Sequence, residues 1–362
     1  MEMYLKQTVF IFLLAFSLSC VETQENNPLL VEPEEETAVD QVIRHKAAFN
    51  VGAAVTRNEL NSASYANTLK THYSQITAEY EMKMAHIWNG VNNYNWTNAD
   101  ALVKFAEDND MEVHGHTLVW YKSFPNWFKN ANYDSASFEG HVKTYIETVV
   151  GRYKGKIISW DVANEIFLDN GGLRSTDCPV FKTFKDPVAF YGRCYRYARE
   201  ADPEAKLFYN DYNVVLAGGK RGAMRSMATR FKSEGYPLDG IGDQMHYMET
   251  TNRNTIKNGL ADMALTGLLI HISELDIRIN TGQSDNFVYS TTEQQKHANA
   301  YKEIVEAYEA IPQSQKFAIS TWGLHDGSTW LTDWWHPKEY PLLFDDKFEK
   351  KLTYEGFLNG LK

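Results

Sequence analysis

The sequence carries no excess of positive charge: 36 Lys and Arg stand against 47 Asp and Glu, a formal net charge of −11. Without a basic patch, nucleic acid and anionic membrane surfaces would repel it, whereas a neutral polymer remains compatible. It also has no Ser or Cys nucleophile motif, no Gly-rich phosphate loop and no His-Glu-x-x-His zinc motif, which sets aside the chemistries those motifs serve. No internal repeat or low-complexity segment interrupts residues 40–362, so no linker or appended binding module is expected there. Cysteine is scarce, with three residues in the chain: Cys20, Cys178 and Cys194.

What is present begins with a targeting segment. After Met1-Glu2-Met3-Tyr4-Leu5-Lys6 comes the apolar run from Val9 to Phe16, too short to span a bilayer, and then Ser17-Leu18-Ser19-Cys20. Residues 1–20 read as a signal peptide for export. A Cys directly after Leu-Ser resembles a bacterial lipobox, with cleavage before Cys20 and lipid on its new N-terminus. The expected location is an outer membrane or cell surface, reached only through that anchor; the alternative is periplasmic or fully secreted protein. Residues 21–39 are acidic and poor in apolar side chains, so they cannot offset the entropy of ordering and read as a tether. Export permits Cys178 and Cys194 to pair, and two buried thiols are equally compatible with the sequence.

From Ala47 onward, short β-rich apolar runs alternate with longer helical stretches. Eight strand candidates emerge: Phe49–Val55, Gln75–Glu81, Glu112–Trp120, Ile157–Glu165, Lys206–Tyr212, Gly240–Tyr247, Leu268–Asp276 and Lys316–Trp322. Between them, stretches such as Phe138–Tyr153 and Thr292–Ala310 have helical periodicity. Strand and helix repeated eight times predict an α/β fold, a single (β/α)8 TIM barrel over residues 40–362. Such a barrel carries chemistry at the C-terminal ends of its strands and fills its interior with apolar side chains.

Polar residues do gather at those ends. Glu79, Glu81 and Lys83 follow strand two; His114, His116 and Trp120 lie on strand three; Asp161, Asn164 and Glu165 end strand four. Asn210, Asp211, Asn213, Gln244, His246, Glu274, Asp276 and Trp322 continue the pattern. A lone polar residue at a strand end is usually a cap or a satisfied buried group, but eight strands converging on one rim make that reading improbable jointly. Hydrolysis by paired carboxylates suits this rim, with Glu165 and Glu274 on opposite strands. The gap between two such groups decides stereochemistry, about 5 Å for retention and about 6.5–9.5 Å for inversion. The aromatic content of 14% offers rings for stacking on sugars, although core packing is the commoner use of any one ring.

At these residues the chain resembles family 10 of the glycoside hydrolases, the endo-β-1,4-xylanase family, over essentially the whole domain. The segments that carry the likeness are Glu79-Tyr80-Glu81-Met82-Lys83, Gly115-His116-Thr117-Leu118-Val119-Trp120, Trp160-Asp161-Val162-Ala163-Asn164-Glu165, Tyr209-Asn210-Asp211-Tyr212-Asn213, Gln244-Met245-His246, Ser273-Glu274-Leu275-Asp276 and Trp322-Gly323-Leu324-His325-Asp326. The resemblance implies an endo-acting hydrolase of xylan or xylo-oligosaccharides working by retaining double displacement. Glu165 would be the acid/base, protonated at the outset, and Glu274 the nucleophile. Asn164 would bind the 2-hydroxyl of the sugar at the cleavage point, and His246, held by Asp276, would orient Glu274. Glu79, Lys83 and His116 would bind glycone hydroxyls, Gln244 would sit near the acid/base, Trp322 and Trp330 would form apolar walls, and Trp120 would pack beside Glu165. No metal or organic cofactor is implied, since His114, His116 and Glu112 offer only a weak metal set, and a monomer is expected.

The chain departs from the family pattern at Tyr80, where Asn is usual, at Met84, where Trp is usual, and at Tyr121-Lys122-Ser123, where His-Ser-Gln is usual. The replaced Asn and Gln line the second glycone sugar's pocket. Compensated drift is one explanation; the other is a pocket reshaped for a decorated or mixed-linkage xylan or another β-glycan. A binding protein on an inactivated barrel is a further alternative, which the presence of both carboxylates and their supporting residues disfavours.

Overall fold

The structure is a computed structural model that describes residues 41–176 and 178–362. The expected signal peptide (1–20), the lipidation site Cys20 and the tether (21–39) lie outside the described residues.

Eight parallel strands close on themselves: β1 (Asn50–Val55), β2 (Gln75–Ala78), β3 (Glu112–Gly115, resuming at Val119–Trp120), β4 (Ser159–Asn164), β5 (Lys206–Asp211), β6 (Gly240–Asp243, resuming at His246–Met248), β7 (Leu269–Arg278) and β8 (Lys316–Thr321). Each pairs with its neighbours in order, and β8 pairs with β1. A long helix follows each strand, with shorter turns of helix between some of them: α1 (Ala63–His72), α2 (Thr97–Asp108), α3 (Ser135–Arg152), α4 (Pro187–Ala201), α5 (Gly218–Glu234), α6 (Arg253–Ala264), α7 (Thr291–Glu309) and α8 (Leu352–Gly360). The single (β/α)8 TIM barrel expected from the sequence is therefore present.

Helix starts are written locally. Ser62, Asp134, Asp186, Asn252 and Ser290 accept hydrogen bonds from first-turn amides of α1, α3, α4, α6 and α7, satisfying donors that a helix start leaves unpaired. Gly235, with φ 72°, ends α5 in the left-handed conformation that glycine adopts without steric cost. The outward strand faces and inward helix faces form the apolar core, as with Leu275 and Ile277 of β7, Ile304 and Val305 of α7, and Phe357 of α8.

The structure corrects the sequence reading in two places and decides a third point that the sequence left open. Strands two, three and six are shorter or interrupted: the chain leaves β2 after Ala78, and β3 and β6 each break before resuming. The barrel interior is not uniformly apolar. Gln75, His114, Ser159, His271 and Ser320 are buried and bonded to one another, His114 Nδ1 to Ser159 Oγ at 2.7 Å, His271 Nε2 to Ser320 Oγ at 3.0 Å and Gln75 Nε2 to the same hydroxyl at 3.4 Å. Small hydroxyls leave room for the rings, and each of these side chains has at least one polar partner. Cys178 and Cys194 are separate buried thiols, so the pairing left open by the sequence is not made.

Candidate active site

Alternation along β7 turns Leu275 and Ile277 toward the helices and Glu274 and Asp276 toward the barrel axis. The ladder to β8 slips between Ile272 and Leu275, and that of β4 to β5 slips between Asp161 and Ala163. Such irregularities re-aim side chains beside active sites; here one spans Glu274 and the other lies just ahead of Glu165.

Glu274 is buried, at 5% exposure. Its Oε1 accepts from Asn210 Nδ2 at 2.8 Å, and its Oε2 faces His246 Nε2 at 3.2 Å. Ser273 Oγ donates to Asn210 Oδ1 at 2.7 Å, fixing that amide so its NH2 points at Glu274. Gly242 makes this possible, because a Cβ there would lie 2.3 Å from Asn210 Oδ1. The other His246 nitrogen, Nδ1, lies 2.9 Å from Asp276 Oδ2, which also accepts from Trp330 Nε1 at 2.8 Å. Burial disfavours charge on the His246 ring, but Asp276 and Glu274 outweigh it and carry its pKa from 6.5 up to about 10. Burial likewise opposes ionisation of Glu274, yet the His246 hydrogen bond, with charge from His116, His246 and Lys83, holds its carboxyl below the ordinary value.

Glu165 lies one residue beyond β4 with φ 56°, and its carboxyl receives a hydrogen bond from Gln244 Nε2 at 3.3 Å. Gln244 also contacts Asn164 Oδ1 at 3.4 Å. Trp120 pairs in register with Asn164 and lines the same cleft as Glu165.

A cleft of about 540 Å³ joins these groups. Glu79, Lys83, His116, Trp120, Asn164, Glu165, Gln244, His246, Glu274, Trp322 and Trp330 all line it, and Asp276 stands behind, bracing His246 and Trp330. His116 is held by Asp161, Nδ1 to Oδ2 at 2.8 Å, and His114 Nε2 lies 3.0 Å from the same oxygen. Both rings are thus committed to a carboxylate, and among the described residues no group of three or more His, Cys, Asp or Glu could hold a metal ion. Lys83 Nζ sits 5.0 Å from the Tyr80 ring, 5.0 Å from Trp120 and 5.6 Å from Trp322. Burial pushes its ammonium pKa down, against the pull of Glu274, Glu79 and Glu165. Burial pushes the Glu79 carboxyl up.

Some rim residues stand elsewhere. Glu81 turns away, accepting from the Arg57 amide at 2.6 Å, while Asp161, Asn210 and Asp211 lie beneath the cleft rather than on it. Sequence reasoning missed Arg278 and Trp334, both of which line the cleft. Trp334 is 60% exposed and stacks on Trp330, centroids 4.8 Å apart. The Trp334-Trp335 pair so close to Trp330 was a signal that could have been used.

At the departures from the family pattern, Tyr80 puts a ring on the cleft wall and remains 44% exposed. Ser123 is buried, its hydroxyl turned back to the Trp120 carbonyl at 3.3 Å. Met84 is fully buried. Tyr121 and Lys122 line the cleft.

Two carboxylates in unlike surroundings, sharing a Trp-walled cleft at the C-terminal mouth of a (β/α)8 barrel, define a site of the glycoside-cleaving class. Comparison with known proteins is more specific: the family model of glycosyl hydrolase family 10 matches residues 38–360, and the chain belongs to that family. It is 34% identical over 342 residues to an endo-β-1,4-xylanase of Cellvibrio japonicus, covering 86% of this chain and 56% of that protein. It is also 34% identical over 336 residues to endo-1,4-β-xylanase 3 of Hypocrea jecorina, covering 92% of this chain and 88% of the relative. A solved xylanase variant from C. japonicus in complex with xylopentaose superimposes with a TM-score of 0.82 at 32% identity, over 88% of this chain and 68% of that one. The chain thus spans little more than half the length of the C. japonicus relative it matches in sequence.

Proposed function

We propose that this protein is a retaining endo-1,4-β-xylanase that acts as a monomer on xylan or xylo-oligosaccharides. The observation that carries the reading is the unlike treatment of the two carboxyls. Glu274 is held ionised by Asn210, His246 and nearby cations, as an attacking group requires, while among the described residues the Glu165 carboxyl accepts a single long amide contact, from Gln244. In the first step Glu274 attacks the anomeric carbon as Glu165 gives its proton to the departing oxygen. In the second, Glu165 takes a proton from water, whose oxygen displaces Glu274 from the same carbon, so configuration is kept. Asn164, bonded to Gln244 beside Glu165, holds the 2-hydroxyl in this reading, and Glu79, Lys83 and His116, which line the same cleft, bind glycone hydroxyls. Trp120, Trp322 and Trp330 supply the apolar walls. Xylan digestion followed by product sizing and by NMR of the newborn anomeric centre tests this reading. It expects short oligosaccharides of β configuration first; α products, or no cleavage of any xylan, would sink it.

The glycone pocket is the finer part of the proposal. Tyr80 adds an aromatic face where the family has a short amide, and Ser123 points its hydroxyl away from the cleft, so two polar contacts to the second sugar are gone at once. A pocket with fewer hydroxyl partners and more ring surface suits a decorated or mixed-linkage xylan, or another β-glycan. Plain linear xylan having the highest kcat/KM among arabinoxylan, mixed-linkage xylan, linear xylan and β-glucan would remove this part.

Export with a lipid on Cys20 belongs to the same proposal, supported by the apolar run from Val9 and the Ser-Leu-Ser-Cys that ends it. Radiolabelled palmitate should enter the wild-type chain and not a Cys20→Ala variant; equal labelling of both argues against the anchor.

A further inference from the structure

The peptide groups that carry Glu165 are gripped from beneath by side chains that never reach the cleft. Its left-handed backbone is sparsely populated by residues other than glycine and persists only where surroundings enforce it. Here every polar backbone group of the turn has a partner. The Glu165 N–H donates to the Asn210 carbonyl at 2.9 Å, and its carbonyl accepts from Arg174 Nε at 3.1 Å. The Ile166 N–H donates to the Tyr209 hydroxyl at 3.2 Å, and the Phe167 N–H to Asp211 Oδ2 at 3.3 Å.

Those two β5 side chains are joined in turn. The Tyr209 hydroxyl donates to the Asp211 carboxylate. Asp211 Oδ1 accepts from Lys220 Nζ at 2.9 Å and from the Tyr212 N–H at 2.9 Å. Lys220, on α5, is fully buried. Its Nζ also pairs with Asp169 Oδ1 at 3.0 Å, four residues past Glu165, and donates to the Tyr212 carbonyl at 2.8 Å. None of Tyr209, Asp211 and Lys220 lines the cleft.

A buried ion pair rarely adds net stability over apolar packing of the same volume, whereas it does fix geometry. This one is wired to consecutive amides directly after the candidate acid/base. We propose that Tyr209, Asp211 and Lys220 form a positioning relay that aims the Glu165 carboxyl at the leaving oxygen by fixing the Ile166 and Phe167 amides. The proposal rests on Glu165 being the acid/base.

Leaving-group dependence isolates that role. A 2,4-dinitrophenolate departs without protonation, while the sugar alkoxide of xylotetraose needs a proton, so only the second reaction senses a misaimed acid. The variants are Tyr209→Phe and the double change Asp211→Asn with Lys220→Met, which removes both buried charges together and serves if the first folds poorly. Glu165→Ala is the reference. The relay predicts that kcat/KM on xylotetraose falls about tenfold or more, while kcat/KM on 2,4-dinitrophenyl β-xylobioside stays within about twofold of wild type. Azide, which attacks the glycosyl enzyme without a base, should restore turnover of the dinitrophenyl substrate. Equal loss on both substrates, or loss on neither, overturns the relay. If Glu165→Ala itself shows no such split, the acid/base assignment falls and the relay falls with it. A split in Glu165→Ala that is missing from both relay variants overturns the relay alone.

Discussion

The two carboxyls at the mouth of this barrel are held by opposite means. Glu274 stands inside a strand, and its side chain is fixed at both oxygens, by Asn210 at 2.8 Å and His246 at 3.2 Å. Glu165 stands just past a strand end, and among the described residues its carboxyl has one hydrogen bond, a 3.3 Å contact from Gln244, while its backbone is bonded at N–H and carbonyl alike. The difference follows from the proposed work. An attacking group must keep one charge state, so fixing its oxygens with cationic and amide donors helps. A group that gives and regains a proton is hindered by donors that favour one state, so its aim is better enforced through the main chain.

The largest expected effect breaks the Glu274 half of this comparison. Glu274→Ala removes the attacking oxygen and should lower kcat on xylan by about 10⁴-fold or more, as removal of a covalent nucleophile does elsewhere, while xylo-oligosaccharide binding by calorimetry persists. Residual activity within about tenfold of wild type would deny Glu274 its role. On the Glu165 side, Lys220→Met leaves Asp211 buried without its cation and should cost about 3–5 kcal/mol in urea unfolding. A loss below about 1 kcal/mol would mean that the pair contributes little to the fold.

His246 sharpens the comparison through pH. Its pKa is raised from 6.5 to about 10, so the stabilisation it contributes is fully present below pH 6.5 and is lost as pH rises through about 10. Glu274 is depressed below 4.5, so its contribution is present above that value and is lost as pH falls through its folded pKa. In His246→Gln the alkaline loss should vanish from the unfolding free energy. The acid limb of kcat/KM should move to higher pH, since burial of Glu274 would be less opposed, with kcat down about 100-fold. An acid limb that does not move would detach His246 from the nucleophile.

Much of this site is legible in the sequence, and the reason is geometric. Strand ends converge on one face of a barrel, so Glu79, His116, Asn164, Glu165, Gln244 and Glu274 could be gathered from sequence order alone. What escaped was contact across strands or from behind. Asn210 reaches Glu274 across 64 positions of sequence, through space that Gly242 leaves open, and no local pattern announces that. Lys220 falls on a helix with the Gly-Gly-Lys-Arg of an apparent solvent face, yet it is fully buried. The barrel interior was misjudged because His114 pairs with Ser159 and His271 with Ser320, and each alone looks like a functional candidate or an exception to an apolar core. The breaks in β3 and β6 escaped because their flanks, Glu112–Gly115 with Val119–Trp120 and Gly240–Asp243 with His246–Met248, keep strand-like composition on both sides.

The smallest expected effect concerns the wall that faces neither carboxyl directly. Tyr80 and Lys83 share a rim of the cleft, the ring 5.0 Å from the ammonium, so Tyr80→Asn would trade aromatic surface for an amide that can bond a sugar hydroxyl. A single neutral hydrogen bond contributes about 0.5–1.5 kcal/mol net, which shifts selectivity by about tenfold. The ratio of kcat/KM for linear xylan over arabinoxylan should therefore rise by no more than that, with little change in the pH profile, because neither Glu274 nor its donors move. A fall in activity on both substrates alike would show instead that Tyr80 supports Lys83, and through it the charge around Glu274, which would tie the specificity wall to the nucleophile.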